Sequence, residues 1–157
     1  MSQIFDAMRE FFTGDEWEFA VIEDGVLRAP FAGKQGQWAF YAQARAGRSQ
    51  VVCYSVCPFN VPDERRRPVA EFLTRANYGM VLGNFELDLA DGEVRFKTSL
   101  DTGGQDLVGD LLRPVVYTNV LMMDRYLPGL GAVAFGGVSP EQAIADIEGP
   151  QDSDAED

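Results

Sequence analysis

Histidine is absent from the 157-residue sequence, and cysteine occurs only twice. The lack of histidine excludes Ser-His-Asp and Cys-His catalysis, imidazole acid–base chemistry and His-ligated metal sites. Two cysteines without histidine are too few for a structural zinc site in one chain. We therefore expect no catalytic residues, no bound metal and no cofactor, and only a carboxylate site assembled in three dimensions stays open.

Basic residues are also scarce. Lysine and arginine number 13 against 25 aspartates and glutamates, which gives a net charge of -12 and an isoelectric point near 4.3. A field of that sign repels phosphate backbones and anionic lipid headgroups, so we expect neither nucleic acid nor a membrane as partner. A protein partner suits this charge better, unless the acidity serves only solubility.

Long apolar segments are missing as well. No run approaches the roughly 18 to 20 apolar residues of a spanning helix, and the N-terminus has no signal-peptide pattern. Cys53 and Cys57 lie in one β-branched run, where four residues of strand span roughly 13 Å and prevent a disulfide. Two reduced thiols predict a cytoplasmic protein.

The length fits one domain, and no internal repeat divides it. Hydrophobic periodicity predicts the order helix, four strands, helix, two strands, long helix and short helix over residues 1–149. Residues 150–157 are acidic and lack an apolar anchor, so we expect a disordered tail. The sequence thus predicts a single α+β domain, a twisted antiparallel sheet packed by helices.

Alternating hydrophobic residues predict six strands. Glu86 and Asp88 on one strand oppose Arg95 and Lys97 on the next, across a turn at Asp91-Gly92 that is typical of a hairpin. We interpret these charges as structural cross-strand ion pairs. The predicted strands lie at 17–22, 26–31, 37–45, 51–56, 85–89 and 94–100.

The predicted helices carry apolar residues at helical spacing. Ser2 caps the first, and Ser139 with Gln142 forms a capping box for the last. The second begins near Pro62 or at Pro68, since Pro68 either kinks or starts it. Apolar positions in the first two helices are Ile4, Phe5, Met8, Phe11 and Phe12, then Val69, Phe72, Leu73 and Ala76.

The long third helix is predicted from Val108 to Tyr126, and Leu127-Pro128-Gly129 is expected to end it. The apolar stripe on this helix is wider than packing against one sheet edge requires. We therefore expect part of the stripe to be exposed and to form a homodimer interface. The alternative is that the sheet and the last helix cover it. The candidate interface residues are Val115, Asn119, Met122, Met123 and Tyr126.

Residues 129–134 match the G-x-G-x-x-A dinucleotide pattern, but they follow a predicted helix and not a strand. We therefore predict a flexible link here and no cofactor site. A competing hypothesis is a small-ligand-binding domain or enzyme, with a pocket of aromatic side chains and carboxylates. Its aromatic residues would be Trp17, Trp38, Tyr41 and Tyr54.

Several motifs together resemble the YbjN-domain family of bacterial proteins. They are Arg75-Ala76-Asn77-Tyr78-Gly79, Gly83-Asn84-Phe85-Glu86-Leu87-Asp88, Val94 to Asp101, Asn119, Met123 to Gly129, and Ser139 to Ile144. The resemblance spans roughly Phe19 to Ile147 and implies a type III secretion chaperone-like fold, commonly dimeric. It implies a non-catalytic protein-binding module that acts as a chaperone-like or regulatory adaptor, with no catalytic residues to carry over.

Overall fold

The computed structural model describes residues 3–149, apart from the side chain of Ala46. The predicted cap at Ser2 and the predicted acidic tail at 150–157 lie outside the described residues. Within 3–149, the helices are α1 (Gln3–Gly14), α2 (Arg66–Asn77), α3 (Gly109–Phe135) and α4 (Pro140–Glu148). The strands are β1 (Ala20–Glu23), β2 (Val26–Ala32), β3 (Gln37–Arg45), β4 (Gln50–Val56), β5 (Asn84–Leu87) and β6 (Val94–Asp101).

The six strands form one antiparallel sheet in the order β1-β2-β3-β4-β6-β5. Each predicted strand is present, but β1 is shorter than predicted and begins at Ala20. Trp17 lies before it because its ring packs against Phe12 of α1, with ring centroids 5.1 Å apart. Burial against a helix therefore replaces strand pairing at the start of the predicted segment.

One face of the sheet carries the hydrophobic core. On β3, Trp38, Phe40 and Ala42 are buried, whereas the residues between them are half-buried or exposed. The ring of Phe40 lies 5.8 Å from that of Phe12 on α1. Helices α1, α2 and α3 pack over this buried face, and α4 packs against α2 and α3. Burial of each such aromatic side chain contributes about 1.5–3 kcal/mol.

Helix α2 begins at Arg66, after a single 3-10 turn at Asp63–Arg65. Pro68 therefore lies in the first turn, where a backbone N–H has no intrahelical acceptor, so it neither kinks nor begins the helix. The predicted apolar face is confirmed, since Val69, Phe72, Leu73 and Ala76 are all buried.

Helix α3 continues past its predicted end, and this prediction was wrong. It runs through Pro128 to Phe135, so residues 129–134 are helical and not a flexible link. Leu127, Leu130 and Val133 are buried in the continued segment. Their burial contributes about 1.5–3 kcal/mol each, which outweighs the cost of about 3 kcal/mol for an interior proline.

The close packing around residue 129 explains why a glycine follows Pro128. A Cβ atom at Gly129 would lie 2.6 Å from Cζ of Phe72 on α2 and 2.7 Å from Cδ1 of Ile147 on α4. Three helices therefore approach each other at a position that has room only for hydrogen. A Cβ atom at Gly131 would meet nothing within 4 Å.

The two glycines predict opposite effects of alanine. Gly129→Ala should lower the free energy of unfolding, because overpacking costs about 1–3 kcal/mol and exceeds the gain in helix propensity. The matched control Gly131→Ala should raise it by about 0.5–1 kcal/mol, since alanine loses less backbone entropy. Urea denaturation of both variants measures the difference, and a stabilised Gly129→Ala protein would contradict the packing described.

Candidate functional site

Asn119 on α3 is fully buried and lies above the centre of the sheet. Its amide nitrogen is 3.0 Å from the carbonyl oxygen of Cys53, 3.1 Å from that of Phe96 and 3.1 Å from Oγ1 of Thr98. Its side-chain oxygen accepts a 2.6 Å hydrogen bond from Oγ of Ser55. Every polar atom of the side chain is therefore used inside the protein.

The hydrogen bonds extend beyond Asn119 in both directions. Ser55 Oγ accepts a 3.0 Å bond from the indole nitrogen of Trp38. Thr98 Oγ1 donates a 2.7 Å bond back to the carbonyl oxygen of Val115 on α3. This polar network, Trp38, Ser55, Thr98 and Asn119, joins β3, β4 and β6 to α3.

The network changes the interpretation of the predicted interface stripe. Val115, Met123 and Tyr126 are buried together with Asn119 inside one chain. Val115 and Asn119 lie against the sheet, and Tyr126 packs against Phe72 and Phe85 and donates a hydrogen bond to Glu148 of α4. Met122 is half-buried and packs against the core, and both Met122 and Tyr126 border an open groove at the surface. A role of these residues in dimerisation stays a prediction.

An apolar surface that the sequence did not indicate lies beside Met122. In the segment between α2 and β5, Tyr78 is 92% exposed and Val81 is fully exposed, at 101%. These two residues border an open groove of about 680 Å³ between that segment and α3. We call it the Tyr78 groove, lined by Ala76, Tyr78, Gly79, Met80, Val81, Leu82, Thr118, Met122, Arg125, Tyr126 and Glu148.

The backbone holds this segment in place. Gly79 and Gly83 adopt φ angles of +86° and +84°, which L side chains rarely adopt. A Cβ atom at Gly83 would lie 2.7 Å from the carbonyl oxygen of Lys97. The side chain of Asn77 accepts a 2.7 Å bond from the amide of Phe85 and donates to its carbonyl oxygen at 3.1 Å. The apolar residues are therefore presented by an anchored loop.

The predicted aromatic pocket does not form. Trp38 faces the helices and is buried, whereas Tyr41, three positions later, lies on the opposite face of the same strand. Tyr41 pairs with Tyr54 across β3 and β4, so both tyrosines are on the uncovered face. Trp17 packs with Phe31 and Phe40 on the core side. The two tryptophans therefore lie on the covered side of the sheet and the two tyrosines on the other side, so the four residues cannot line one pocket.

Both cysteines are free and buried. Burial raises the pKa of Cys53 to about 12 and that of Cys57 to about 12, the latter against a hydrogen bond from the backbone of Phe59. Since the thiolate is the reactive form, the two thiols are inert packing groups near neutral pH. Cys57 lies one residue beyond the end of β4.

The predicted cross-strand ion pairs are confirmed for Glu86. Its carboxylate lies 2.8 Å from Nε of Arg95 and 3.0 Å from Nζ of Lys97. Burial acts to raise the pKa of Glu86, but hydrogen bonds from Lys97 and Arg95 outweigh it and hold the pKa below its usual 4.5. Asp88, which was also predicted to pair with a base on the next strand, instead accepts a hydrogen bond from the amide of Ala90 in the turn.

A polar cluster joins the end of α1 to α3. Asp15 accepts hydrogen bonds from Arg113 at 2.9 Å and from the hydroxyl of Tyr117 at 2.9 Å, and these bonds lower its pKa. The indole nitrogen of Trp17 donates to the same hydroxyl at 3.2 Å. About a hundred residues separate these groups along the chain, so no local pattern could have predicted the cluster.

The described part of the chain, residues 3–149, contains no group of three or more cysteine, aspartate or glutamate side chains placed to hold a metal ion. It also contains no helix with the length and hydropathy needed to cross a membrane.

Comparison with protein families gives one match. The sequence model of YbjN, described as "Putative bacterial sensory transduction regulator", matches residues 5–132, which is more than half of the chain. The chain belongs to the YbjN family. A search of curated proteins found no match.

Several solved structures have a fold similar to that of this YbjN-family chain. The crystal structure of YbjN from E. coli matches with a TM-score of 0.58 and 16% identity, covering 76% of this chain and 84% of that one. A chain of the HopA1–SchA chaperone–effector complex matches with a TM-score of 0.52 and 15% identity, covering 78% and 92%. A chain of the ExsC–ExsE complex matches with a TM-score of 0.52 and 11% identity, covering 82% and 96%.

These likenesses confirm the predicted α+β fold, an antiparallel sheet packed by helices as in type III secretion chaperones. At 16% identity and below, they show the fold alone.

The polar network predicts that Asn119 is essential for stability. Asn119→Ala leaves Ser55 and two buried carbonyl oxygens without their partner, at about 1–3 kcal/mol for each group. We expect the free energy of unfolding to fall by roughly 3 kcal/mol or more. Leu89→Ala, at a position that is 64% exposed, should change it by less than about 1 kcal/mol. Equal losses in chemical denaturation of the two variants would contradict this account.

Proposed function

We propose that this YbjN-family chain is a non-catalytic protein-binding module, a chaperone-like or regulatory adaptor of the cytoplasm. Its partner is a protein that places apolar side chains in the Tyr78 groove. The observation that carries the proposal is the exposure of Tyr78 and Val81 beside Met122 on an anchored loop.

The exposure of the loop requires an explanation because of its cost. Among the exposed large apolar side chains of the described residues, Tyr78 and Val81 are the two most exposed, and Val81 is as exposed as in an extended peptide. Contiguous exposed apolar residues usually mark a binding surface. Methionine, present here as Met80 and Met122, adapts its shape to different partners. These features support a surface for a protein more than a pocket for a small molecule.

The fold is compatible with this role. HopA1–SchA is a chaperone–effector complex, and one of its chains has the fold of this chain. That likeness supports an adaptor without identifying its partner. Free, buried thiols support a reducing compartment such as the cytoplasm.

Partner capture tests the groove. Tagged wild-type protein and a Val81→Glu variant serve as baits in the native cell, and quantitative mass spectrometry compares the captured proteins. A charge in the groove would lose its hydration against apolar partner groups, so we expect the partner to be lost from Val81→Glu. The matched control is Leu89→Glu, because Leu89 is 64% exposed and lies outside the groove.

The outcome separates specific binding from general stickiness. A partner retained by wild type and Leu89→Glu, and lost by Val81→Glu, supports the proposal. Equal capture by all three baits, or no specific partner at all, contradicts it. Unchanged melting temperatures show that the variants remain folded.

The proposed homodimer uses the outer face of α3. Leu111 is 43% exposed and Leu121 is 56% exposed, and Met122 completes the same helix face. The positions 111, 118, 121 and 122 lie within one stripe at 3.6 residues per turn. A two-fold axis beside α3 would bring two such stripes together, which is the commonest arrangement of soluble oligomers.

Sedimentation equilibrium tests the dimer at micromolar concentrations. Wild type should have twice the mass of one 17.3 kDa chain. Leu121→Glu should give a folded monomer, because an unpaired charge buried in an interface costs about 3–5 kcal/mol. Leu89→Glu should remain dimeric. A wild-type mass of one chain across the concentration range contradicts the dimer, as does a Leu121→Glu protein that remains dimeric.

A further inference from the structure

The sheet has a second face, over which no described helix packs. Helices α1, α2 and α3 contact β3, β4, β5 and β6 through the buried side chains of the strands. The alternate side chains point away from them and are half-buried or exposed. On this open face, Arg28, Tyr41, Tyr54 and Lys97 are consecutive cross-strand neighbours on β2, β3, β4 and β6.

The balance of charges on the strands of this face opposes that of the whole protein. Strands β2, β3 and β4 contain no aspartate or glutamate, in a chain that has 25 of them. The strands of the open face carry Arg28, Arg45, Arg95 and Lys97 against Glu86 and Asp101. Two further acids flank these strands, Glu18 beside Arg28 and Glu93 beside Arg95. The strands of this face therefore carry more cations than carboxylates, in a protein with a net charge of -12.

Two tyrosines position two of the arginines. Nε of Arg28 donates a 3.2 Å hydrogen bond to the hydroxyl of Tyr41, and its guanidinium lies 5.8 Å from the ring centroid. The guanidinium of Arg95 lies 4.1 Å above the ring of Tyr54. An arginine held in this way loses less conformational entropy on binding, and its planar donors match a carboxylate.

Two cations on the face lack acidic partners. Among the described residues, neither Arg28 nor Arg45 forms an ion pair with a carboxylate. Lys97 does pair with Glu86, and an ammonium group has further donors that this pair does not use. The face can therefore accept negative groups without first breaking its own ion pairs.

The register sets a spacing for those groups. Arg28 and Lys97 are three strand spacings apart, about 14 Å at roughly 4.8 Å per strand. An extended peptide advances about 3.4 Å per residue, so residues i and i+4 span the same distance and point to the same side. Residue i+2 then lies over Tyr41 and Tyr54.

We propose that the open sheet face binds an extended acidic segment of a partner protein. The segment crosses the strands, with one acidic side chain at Arg28, another four residues away at Lys97, and an aromatic side chain between them over Tyr41 and Tyr54. This surface lies on β2 to β6, separate from the Tyr78 groove, so the inference goes beyond the proposed function.

A nucleic acid fits this face less well. Phosphate groups and bases would also find arginine and tyrosine here, but a polynucleotide extends its charge well beyond four strands. The chain carries 25 acidic residues against 13 basic ones, and this net charge repels a long polyanion. A short acidic segment confines its negative charge to the cations of this face.

Fluorescence anisotropy with the full chain tests the inference. The probe is a labelled peptide that contains Asp-Ala-Trp-Ala-Asp, and its counterpart has asparagine in place of both aspartates. We expect the acidic peptide alone to bind, with an affinity that falls as salt rises. Arg28→Gln should weaken binding about tenfold, the size of one charge-assisted hydrogen bond.

Matched controls decide whether the face itself is responsible. Arg67→Gln changes the same charge at an exposed position of α2 and should leave the affinity unchanged. Val81→Glu should also leave it unchanged, which separates this surface from the Tyr78 groove. Oligothymidine serves as the polyanion control.

Four results would overturn the inference: no binding of the acidic peptide, equal binding of the asparagine peptide, equal loss in Arg67→Gln, or tighter binding of oligothymidine. Melting curves establish that Arg28→Gln remains folded. Amide shifts by NMR provide a second measurement on wild type, and they should change in β2, β3 and β4 when the peptide binds.

Discussion

The side-chain amide of Asn119 connects the long helix α3 to the middle of the sheet. The other contacts of α3 depend on the position that these hydrogen bonds give the helix. A buried amide is costly unless its donors and acceptor are all paired, so only one placement of α3 over β4 and β6 is acceptable. The bonds to Cys53, Phe96 and Ser55 fix both the rotation and the translation of the helix. Apolar contacts alone would tolerate a slide along the sheet, because dispersion and burial have little directional preference.

Fixing the rotation of α3 divides its surface. The buried side carries Asn119 and Met123, so the adjacent position, Met122, is only partly covered and borders the Tyr78 groove. Residues one position apart on a helix differ by about 100° in direction, and this difference separates a core methionine from a surface one. The same hydrogen bonds that stabilise the domain thus decide which side chains a partner can reach.

Local sequence patterns predicted most of the fold. Alternation at Trp38, Phe40 and Ala42 and the helical spacing at Val69, Phe72 and Leu73 identified both the elements and their buried faces. Pro128 misled the prediction of the end of α3 because tertiary burial outweighed its local cost. Asn119 could not be assigned to core or interface from spacing alone, since its partners lie 21 to 66 residues away.

A single sequence also leaves the binding surfaces of the sheet undecided. A single sequence distinguishes two faces of a strand by parity, and this separates Trp38 from Tyr41, but it does not identify which face the helices will cover. In this chain the covered face takes Trp38, Phe40, Val51 and Phe96, and the open face keeps Arg28, Tyr41, Tyr54 and Lys97 in one cross-strand row. A solvated sheet face without a binding role needs only polar side chains of mixed charge. Exclusion of acids from three strands of so acidic a protein, with two arginines held against tyrosines, is more than solubility requires, and it favours a face shaped for negative groups.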